Sequence, residues 1–524
     1  MRTTGLLAAL LLVPACGGGG DDGPSWTAFF PPIPTSGTGG TVGGGFLAPL
    51  AIDGSAVTHT IPTAGDDASV RTALQGILDG PGSSFVINFD NGGPRTVVLS
   101  EQIRVPPNKA LVLDGQGTLT LSGGLNNRIL LKRFNTTVTL QRLTFVDGRA
   151  DDNGGAIEFE DWDGRLTVID CVFTNCRTRN PGPDRGGGAI RAWGQRHTRI
   201  SGCVFTDCQA SNGGAVNSLG SQLTIINSRF ERNVAFGTGG GAEVGGGGGI
   251  GGAVYIDNVH LNADAPEFNL SGSVFRNNVA NAHAGAVFGY TTAEDVIPPD
   301  LAPVSLTRVD ACTFSGNQVT GQGGGGGHSG AFYSQNGTRV FEDSTFDGNV
   351  SANVAGGVFV TGAGDVGFTN CTLRGNAAAG LGGALFLSGG TTTLMNVTIA
   401  ENSSALFAGG IFRGGASVTM TNSLLQNNTG TDLFNGWNVN QALSGGSNNL
   451  QWPQGGATNP AALPGITFAN AGLQALGANG GNTRTMAITG VPAAGGGTST
   501  GAPSADQRGQ ARGNPPDVGA YELP

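Results

Sequence analysis

The chain has 524 residues and a formal net charge of −10, and charged residues make up only 12% of it. A surface of that kind carries no basic stripe, which excludes nucleic acid as a partner. Ninety-four glycines beside runs of Val, Ile, Phe and Thr exclude helical repeats, which need long stretches of Ala, Leu, Glu and Lys.

Residues 1–16 have the layout of a bacterial lipoprotein signal peptide. Arg2 supplies the positive start, Leu6 to Val13 a short apolar run, and Val13-Pro14-Ala15-Cys16 the cleavage box. The run is too short to span a bilayer. Cleavage there makes Cys16 the first residue and the site of lipidation, and more than one acyl chain anchors a protein durably. The expected partner is therefore a membrane, reached through this lipid anchor, with the body at the bacterial outer membrane or cell surface. The alternative is an ordinary secretory signal with an incidental cysteine. Residues 17–45, rich in Gly, Pro and Ser, read as a flexible tether with a reach of about 30 Å.

Residues 46–430 carry the body. Asp66-Asp67-Ala68 followed by Val70, Ala73, Leu74, Ile77, Leu78 and Gly80 spells a short amphipathic helix with its acidic residues first. An open sheet end exposes strand edges and core, so this helix is expected to cover the N-terminal end. Alternating apolar pairs follow at Val97-Leu99, Leu111-Leu113 and Leu119-Leu121, which is strand periodicity.

From residue 154 two short elements alternate. The first is Gly154-Gly155-Ala156-Ile157, repeated at Gly187, Gly213, Gly251 and Gly382, with variants at Ala284-Gly285-Ala286-Val287, Ser329-Gly330-Ala331-Phe332, Gly356-Gly357-Val358-Phe359 and Gly409-Gly410-Ile411-Phe412. The second begins as Cys171-x-Phe173-x-x-Cys176 and Cys203-x-Phe205-x-x-Cys208. It continues with Phe230-x-x-Asn233, Phe275-x-x-Asn278, Phe314-x-x-Asn317, Phe346-x-x-Asn349, Leu373-x-x-Asn376, Ile399-x-x-Asn402 and Leu425-x-x-Asn428. A fixed period of this size defines a solenoid. Strand-like alternation, with Gly, Asn and Ser at the breaks, selects a right-handed single-stranded parallel β-helix, all-β, with a helical N-terminal cap.

Successive rungs of such a helix lie about 4.8 Å apart, so equivalent residues stack in columns. Phe173, Phe205, Phe230, Phe275, Phe314 and Phe346 are expected to form one inward column, continued by Leu373, Ile399 and Leu425; Ile157 through Phe412 form another. The repeated Asn is expected to adopt the left-handed turn conformation and to bond to the Asn above and below. The glycine pairs supply positive φ at another corner.

Several residues could carry chemistry. Cys176 and Cys208 fall at equivalent turn positions, within reach of a disulfide; Cys171 and Cys203 suit a stack of buried thiols, since Ser228 and Ser273 continue their column. His283 and His328 share one edge and could hold a metal or form a pH-sensitive pair, but a third ligand is lacking, and plain turn residues are the simpler reading. Acidic residues gather at Glu158, Glu160, Asp161 and Asp163, near Asp151-Asp152, with Arg191, Trp193, Arg196 and His197 one rung on. Neither a calcium pattern nor a spaced carboxylate pair is visible there, so Glu158 beside Arg191 reads as a cross-rung ion pair. Tyr255, Phe288, Tyr333 and Phe386 follow the apolar column residue, so an outward aromatic stripe fit for sugars or proteins is expected, unless the insertions at 236–250 and 290–304 cover it. No cofactor signature, assigned catalytic residue or clear metal site emerges.

Residues 431–524 lose the rung pattern. They contain Asn479-Gly480-Gly481-Asn482-Thr483-Arg484-Thr485, Asp506-Gln507-Arg508-Gly509 and Asp517-Val518-Gly519-Ala520-Tyr521-Glu522. Arg508 with Asp506, Asp517 or Glu522 is expected to form a polar network in a C-terminal cap. These three motifs resemble the "choice-of-anchor Q" region of bacterial surface proteins. The alternating Gly-Gly-Ala-Ile and Phe-x-x-Asn elements resemble the repeats of the chlamydial polymorphic outer-membrane protein family. That second resemblance covers roughly residues 85–430 and implies a surface-displayed β-helix, some relatives being adhesins. This chain departs from the autotransporter members by having no alternating strand series after Asn428 to build a membrane barrel. The expected function is a binding, adhesive or structural module contacting a glycan or surface protein. The alternative is a polysaccharide-cleaving enzyme, a lyase or glycoside hydrolase, on the same scaffold.

Overall fold

The computed structural model describes residues 47–161, 164–239, 247–257, 267–290, 306–322, 326–430, 437–453 and 459–524. The predicted signal and tether, Cys16, Asp163, nearly all of the 290–304 insertion and part of the one at 236–250 lie outside the described residues. Among the described residues no helix is long and apolar enough to cross a membrane.

The architecture is an all-β right-handed parallel β-helix. One rung runs Ile190–Trp193, His197–Ser201, Val204–Thr206 and Gln209–Ala210. The next repeats it in parallel register: Ile190 lies beside Val216, Thr198 beside Leu223, Phe205 beside Phe230 and Ala210 beside Ala235. The first strands of the rungs stack into an eleven-stranded sheet and the two-residue strands into a seven-stranded one. The two middle strands share one large sheet, folded at a corner where residues such as Asp170 and Asn370 take positive φ.

The expected aromatic column is present. Phe173, Phe205, Phe230, Phe275, Phe314 and Phe346 are all fully buried, with successive ring centroids 4.6–4.9 Å apart. Phe145 extends the column one rung earlier, 4.8 Å from Phe173. Leu373, Ile399 and Leu425 continue it in register. Each buried ring removes roughly 150–250 Å² from water, which makes this spine a principal source of stability.

The second column needs a correction. It runs Ile157, Ile190, Val216, Val254, Val287, Phe332, Val358, Leu385 and Ile411, so Phe359 and Phe412 are not inward residues. The aligned motifs there are Ala355-Gly356-Gly357-Val358 and Ala408-Gly409-Gly410-Ile411, one residue earlier than the glycine doublet suggests. Ala355 and Ala408 take the positive φ found at Gly154, Gly187, Gly213, Gly251 and Gly382. A slip of one residue reverses the face of every following side chain.

The turn residues also divide their work differently from the expectation. The ladder asparagines are not left-handed; the residue before each one is, as at Arg232, Asn277, Gly316, Gly348, Gly375 and Glu401. Asn233, Asn278, Asn317, Asn349, Asn376 and Asn402 point inward with no exposure. Each Nδ2 donates to the Oδ1 of the next Asn at 2.8–2.9 Å and also to a backbone carbonyl of the preceding rung. Both amide ends are thereby satisfied in the core, which a buried polar column requires.

Both ends of the core are closed. Helix α1 (Asp67–Asp79) starts at Asp66, whose carboxylate accepts from Ser69 N at 2.7 Å, and buries Val70, Leu74 and Leu78 against the first rungs. At the other end Val439, Leu443, Ala462 and Leu463 join the central core. The rest of the C-terminal segment doubles back along a flank of the solenoid. Asn370, Asn396 and Asn422 donate to Ala505 O, Asp517 O and Thr498 O at 2.9, 3.1 and 2.8 Å, and Thr483 donates to Asp343 O at 2.8 Å. The segment is therefore both a plug and a lateral strap.

Candidate functional site: an arginine-lined groove

The outer side of the eleven-stranded sheet changes character along the axis. One outward column reads Arg104, Leu131, Glu158, Arg191 and Asn217, then Tyr255, Phe288, Tyr333, Phe359, Phe386 and Phe412. Its first half borders a groove of ≈ 600 Å³ built by strand residues Arg104 and Glu158 and by turn residues Gln102, Asn126, Asn127, Arg149, Asp151 and Asp152. The groove adjoins another of ≈ 810 Å³ that shares Gln102, Arg104, Arg128 and Arg133 with it and runs on to Leu131 and Phe134.

The acidic patch predicted here divides. Glu158 and Glu160 do share the outer face. Glu158, however, pairs with Arg128 at 2.7 Å, not with Arg191, whose guanidinium instead donates to Asn153 Oδ1 and Asp184 O. Glu160 faces Arg133 at 3.5 Å. Asp161 is not on the surface at all. It turns into the core, where Lys132 Nζ meets its Oδ2 at 2.6 Å and Thr136 N donates to the same atom. Burial opposes both charges; Lys132 and the backbone donors nevertheless hold the Asp161 carboxyl below its ordinary range, while burial moves the Lys132 amine down. Asp163 lies outside the described residues.

Every carboxylate around the groove has an arginine within 4 Å. Asp151 faces Arg179 at 3.9 Å, Asp152 faces Arg185 at 3.1 Å, and Glu101 faces Arg71 at 2.8 Å. Arg104 and Arg149, in contrast, have no carboxylate partner among the described residues, although Arg149 Nη1 donates to Leu125 O. The groove thus holds surplus positive charge on a chain of net charge −10. Sequence reasoning missed these two arginines because they come from different rungs and only the coil brings them together.

The aromatic stripe exists and is longer than expected, since Phe359 and Phe412 belong to it. Its rings stack on each other at 4.7–5.3 Å, so ring faces meet ring faces and only edges turn outward. Tyr255 and Phe288 are buried against Ile250, Ala282 and Ala284, and Phe359 against Val354 and Ala355. Tyr333 and Phe386 are half-buried. A sugar ring stacks on an open aromatic face, and here neighbouring rings occupy those faces.

His283 and His328 stack as expected, with centroids 4.9 Å apart, and pack on Tyr333 and Phe359. Burial, with the neighbouring His328, lowers the His283 pKa to about 4. No third metal-ligating side chain joins the pair among the described residues.

All six described cysteines are free and buried. Cys176 and Cys208, the pair expected to bond, stand here as two free thiols. These positions are not adjustable turn residues but the start of the inward Asn column: Cys208 N donates to Asn233 Oδ1 at 3.1 Å. Each thiol points at a carbonyl, Cys176 at Phe145 O and Cys208 at Phe173 O. Cys171 and Cys203 begin a column continued by Ser228 and Ser273, as expected. Burial pushes the Cys171 and Cys208 thiols well above their ordinary range, so they act as small core residues.

The C-terminal network is real, with its partners rearranged. Arg508 pairs with Asp506 at 2.7 Å, donates to Glu522 O and lies 3.6 Å from the centre of the Tyr521 ring. The Glu522 carboxylate belongs to Arg512 at 3.0 Å, and that of Asp517 accepts from Gly495 N and Leu523 N.

Among protein families, the one described as "Right handed beta helix region" matches residues 302–449. That span covers the later rungs and leaves out the groove. No curated protein matches the chain.

Proposed function

We propose that this chain is a binding module displayed at a bacterial surface, and that its N-terminal groove is the contact site. The observation that carries this reading is the lining itself: an open groove in which each carboxylate is tied to an arginine while Arg104 and Arg149 remain unpaired. Glycoside cleavage needs two carboxyls facing each other across the scissile bond, and here the carboxylates face arginines instead. The groove is better suited to hold a chain than to cleave it. Asparagine and glutamine side chains supply hydroxyl contacts and the guanidiniums of Arg104 and Arg149, without carboxylate partners, supply charge, a combination that fits a glycan carrying carboxylate or sulfate groups. The β-helix is the scaffold; fold by itself assigns no activity. Lipidation at Cys16, a tether over 17–45 and placement at the outer membrane complete the proposal, resting on the sequence of the first 45 residues.

The test is a glycan-array and polysaccharide-depolymerisation screen on residues 46–524. Binding of acidic glycans without turnover is expected, with at least a tenfold loss of affinity in the Arg104→Ala, Arg149→Ala double variant. Turnover that disappears in Glu160→Ala would instead establish a polysaccharide-cleaving enzyme.

A further inference from the structure

Between the solenoid and the lateral strap lies a second cavity, of ≈ 180 Å³, far from the groove. Four carboxylates line it: Asp310, Glu342 and Asp343 from adjacent rungs and Asp506 from the strap. Two of them are neutralised. Glu342 pairs with Arg308 at 2.8 Å and Asp506 with Arg508 at 2.7 Å. The other two are not. Asp310 is only 5% exposed, and its Oδ2 is sealed from solvent without a hydrogen-bond partner in the protein. Asp343 Oδ1 is in the same condition. No Lys, Arg or His side chain lines the cavity.

A buried carboxylate left uncompensated is strongly unfavourable, so the site demands either protons or a cation. We propose that Asp310 and Asp343 bind a divalent cation, calcium by the character of the available donors, in the cavity that joins the solenoid to its C-terminal strap. The lining residues carry oxygen donors: the two carboxylates, the Asn482 amide and the Thr369 and Ser504 hydroxyls. Calcium accepts such mixed, irregular sets together with water, whereas magnesium demands near-octahedral geometry and gives up water reluctantly. Burial outweighs the nearby Arg308 at Asp310 and the Asn370 amide at Asp343, and pushes the two carboxyls up to about 6 and about 7. The solenoid supplies both acids and Asn482 with residues 503–507 supplies the opposite wall, so an ion there staples the strap to the flank. The inference does not depend on the groove or its ligand.

The experiment uses the full chain, freed of metal with a chelator and titrated calorimetrically with calcium chloride, with magnesium chloride as control. One calcium per chain is expected, with a rise in Tm that magnesium does not reproduce. Asp310→Asn with Asp343→Asn keeps the shape of both side chains, and at least a tenfold loss of calcium affinity is expected. A β-type circular-dichroism spectrum checks that the double variant folds; if it does not, Asp343→Asn alone, at the half-buried position, supplies the comparison. Absence of heat and of any Tm rise in the unaltered chain at millimolar calcium overturns the proposal. So does calcium binding undiminished in the folded variant.

Discussion

Two residues separated by one peptide bond illustrate how differently glycines are used here. The first of each doublet takes positive φ, yet Ala284, Ser329, Ala355 and Ala408 stand there in other rungs. The second has no substitute in any rung of this series, because a Cβ on Gly252 would lie 2.0 Å from Gly285 O of the next rung. Gly252→Ala is expected to cost about 3 kcal/mol or more, against about 1–3 kcal/mol for Gly251→Ala, measured by urea unfolding. A Cβ on Gly251 would meet Val254 O at 2.3 Å, but alanines at equivalent positions show that the turn can adjust. In the polar ladder, Asn349→Ala removes bonds to Phe314 O and Asn376 Oδ1 and deprives Asn317 of its acceptor. A loss of about 2–4 kcal/mol is expected on the same assay. The histidine pair gives a pH signature. His283 is held neutral down to about 4, while the unfolded chain takes up that proton near 6.5. Its contribution is therefore complete above about 6.5 and falls as pH drops towards 4. His283→Gln should flatten that limb of a stability-versus-pH curve. The sequence showed the inward rings, the asparagine repeat and the histidine stack. It did not show that Asp161 turns inside, because the partner, Lys132, sits in an otherwise apolar register position one rung earlier.

At the scale of the strand, periodicity of two is both the clearest signal and the easiest to misplace. Four aromatic-bearing rungs read correctly from their doublets, and two read one residue out, because Ala355 and Ala408 replace the first glycine. The outcome was an inward assignment for Phe359 and Phe412 that the register reverses. The turn position expected for Cys176 and Cys208 differs for a related reason: they open an inward column whose later members are asparagines. The inner phenylalanine spine should be sensitive to truncation anywhere along its length and tolerant of aliphatic replacement near its end. Phe275→Ala, between rings 4.9 Å away on each side, is expected to cost about 3–5 kcal/mol. Phe346→Leu should cost about 1.5 kcal/mol or less, since Leu373 already follows it in the column. Chemical denaturation of both variants checks the contrast.

For the whole molecule, the fold was legible because every rung repeats the same burial pattern, whereas the groove and the strap cavity were not. Both are assembled from turns or segments distant in sequence, and no local pattern announces which ones will meet. The strap also gives the solenoid a fixed point. Its bonds reach the consecutive corner residues Asp343, Asn370, Asn396 and Asn422, so it reads the spacing of four neighbouring turns at once. Inserting or deleting one complete repeat inside that stretch would throw those contacts out of step. The same change between Ile190 and Val287 would spare the C-terminal strap but disturb the N-terminal segment, whose Leu47 N and Leu50 N donate to Ser271 Oγ and Ser201 Oγ at 3.2 and 3.0 Å. The C-terminal segment thus works as a gauge for the part it covers, and residues 47–53, bonded to Gln141, Ser201 and Ser271, do the same for the earlier turns.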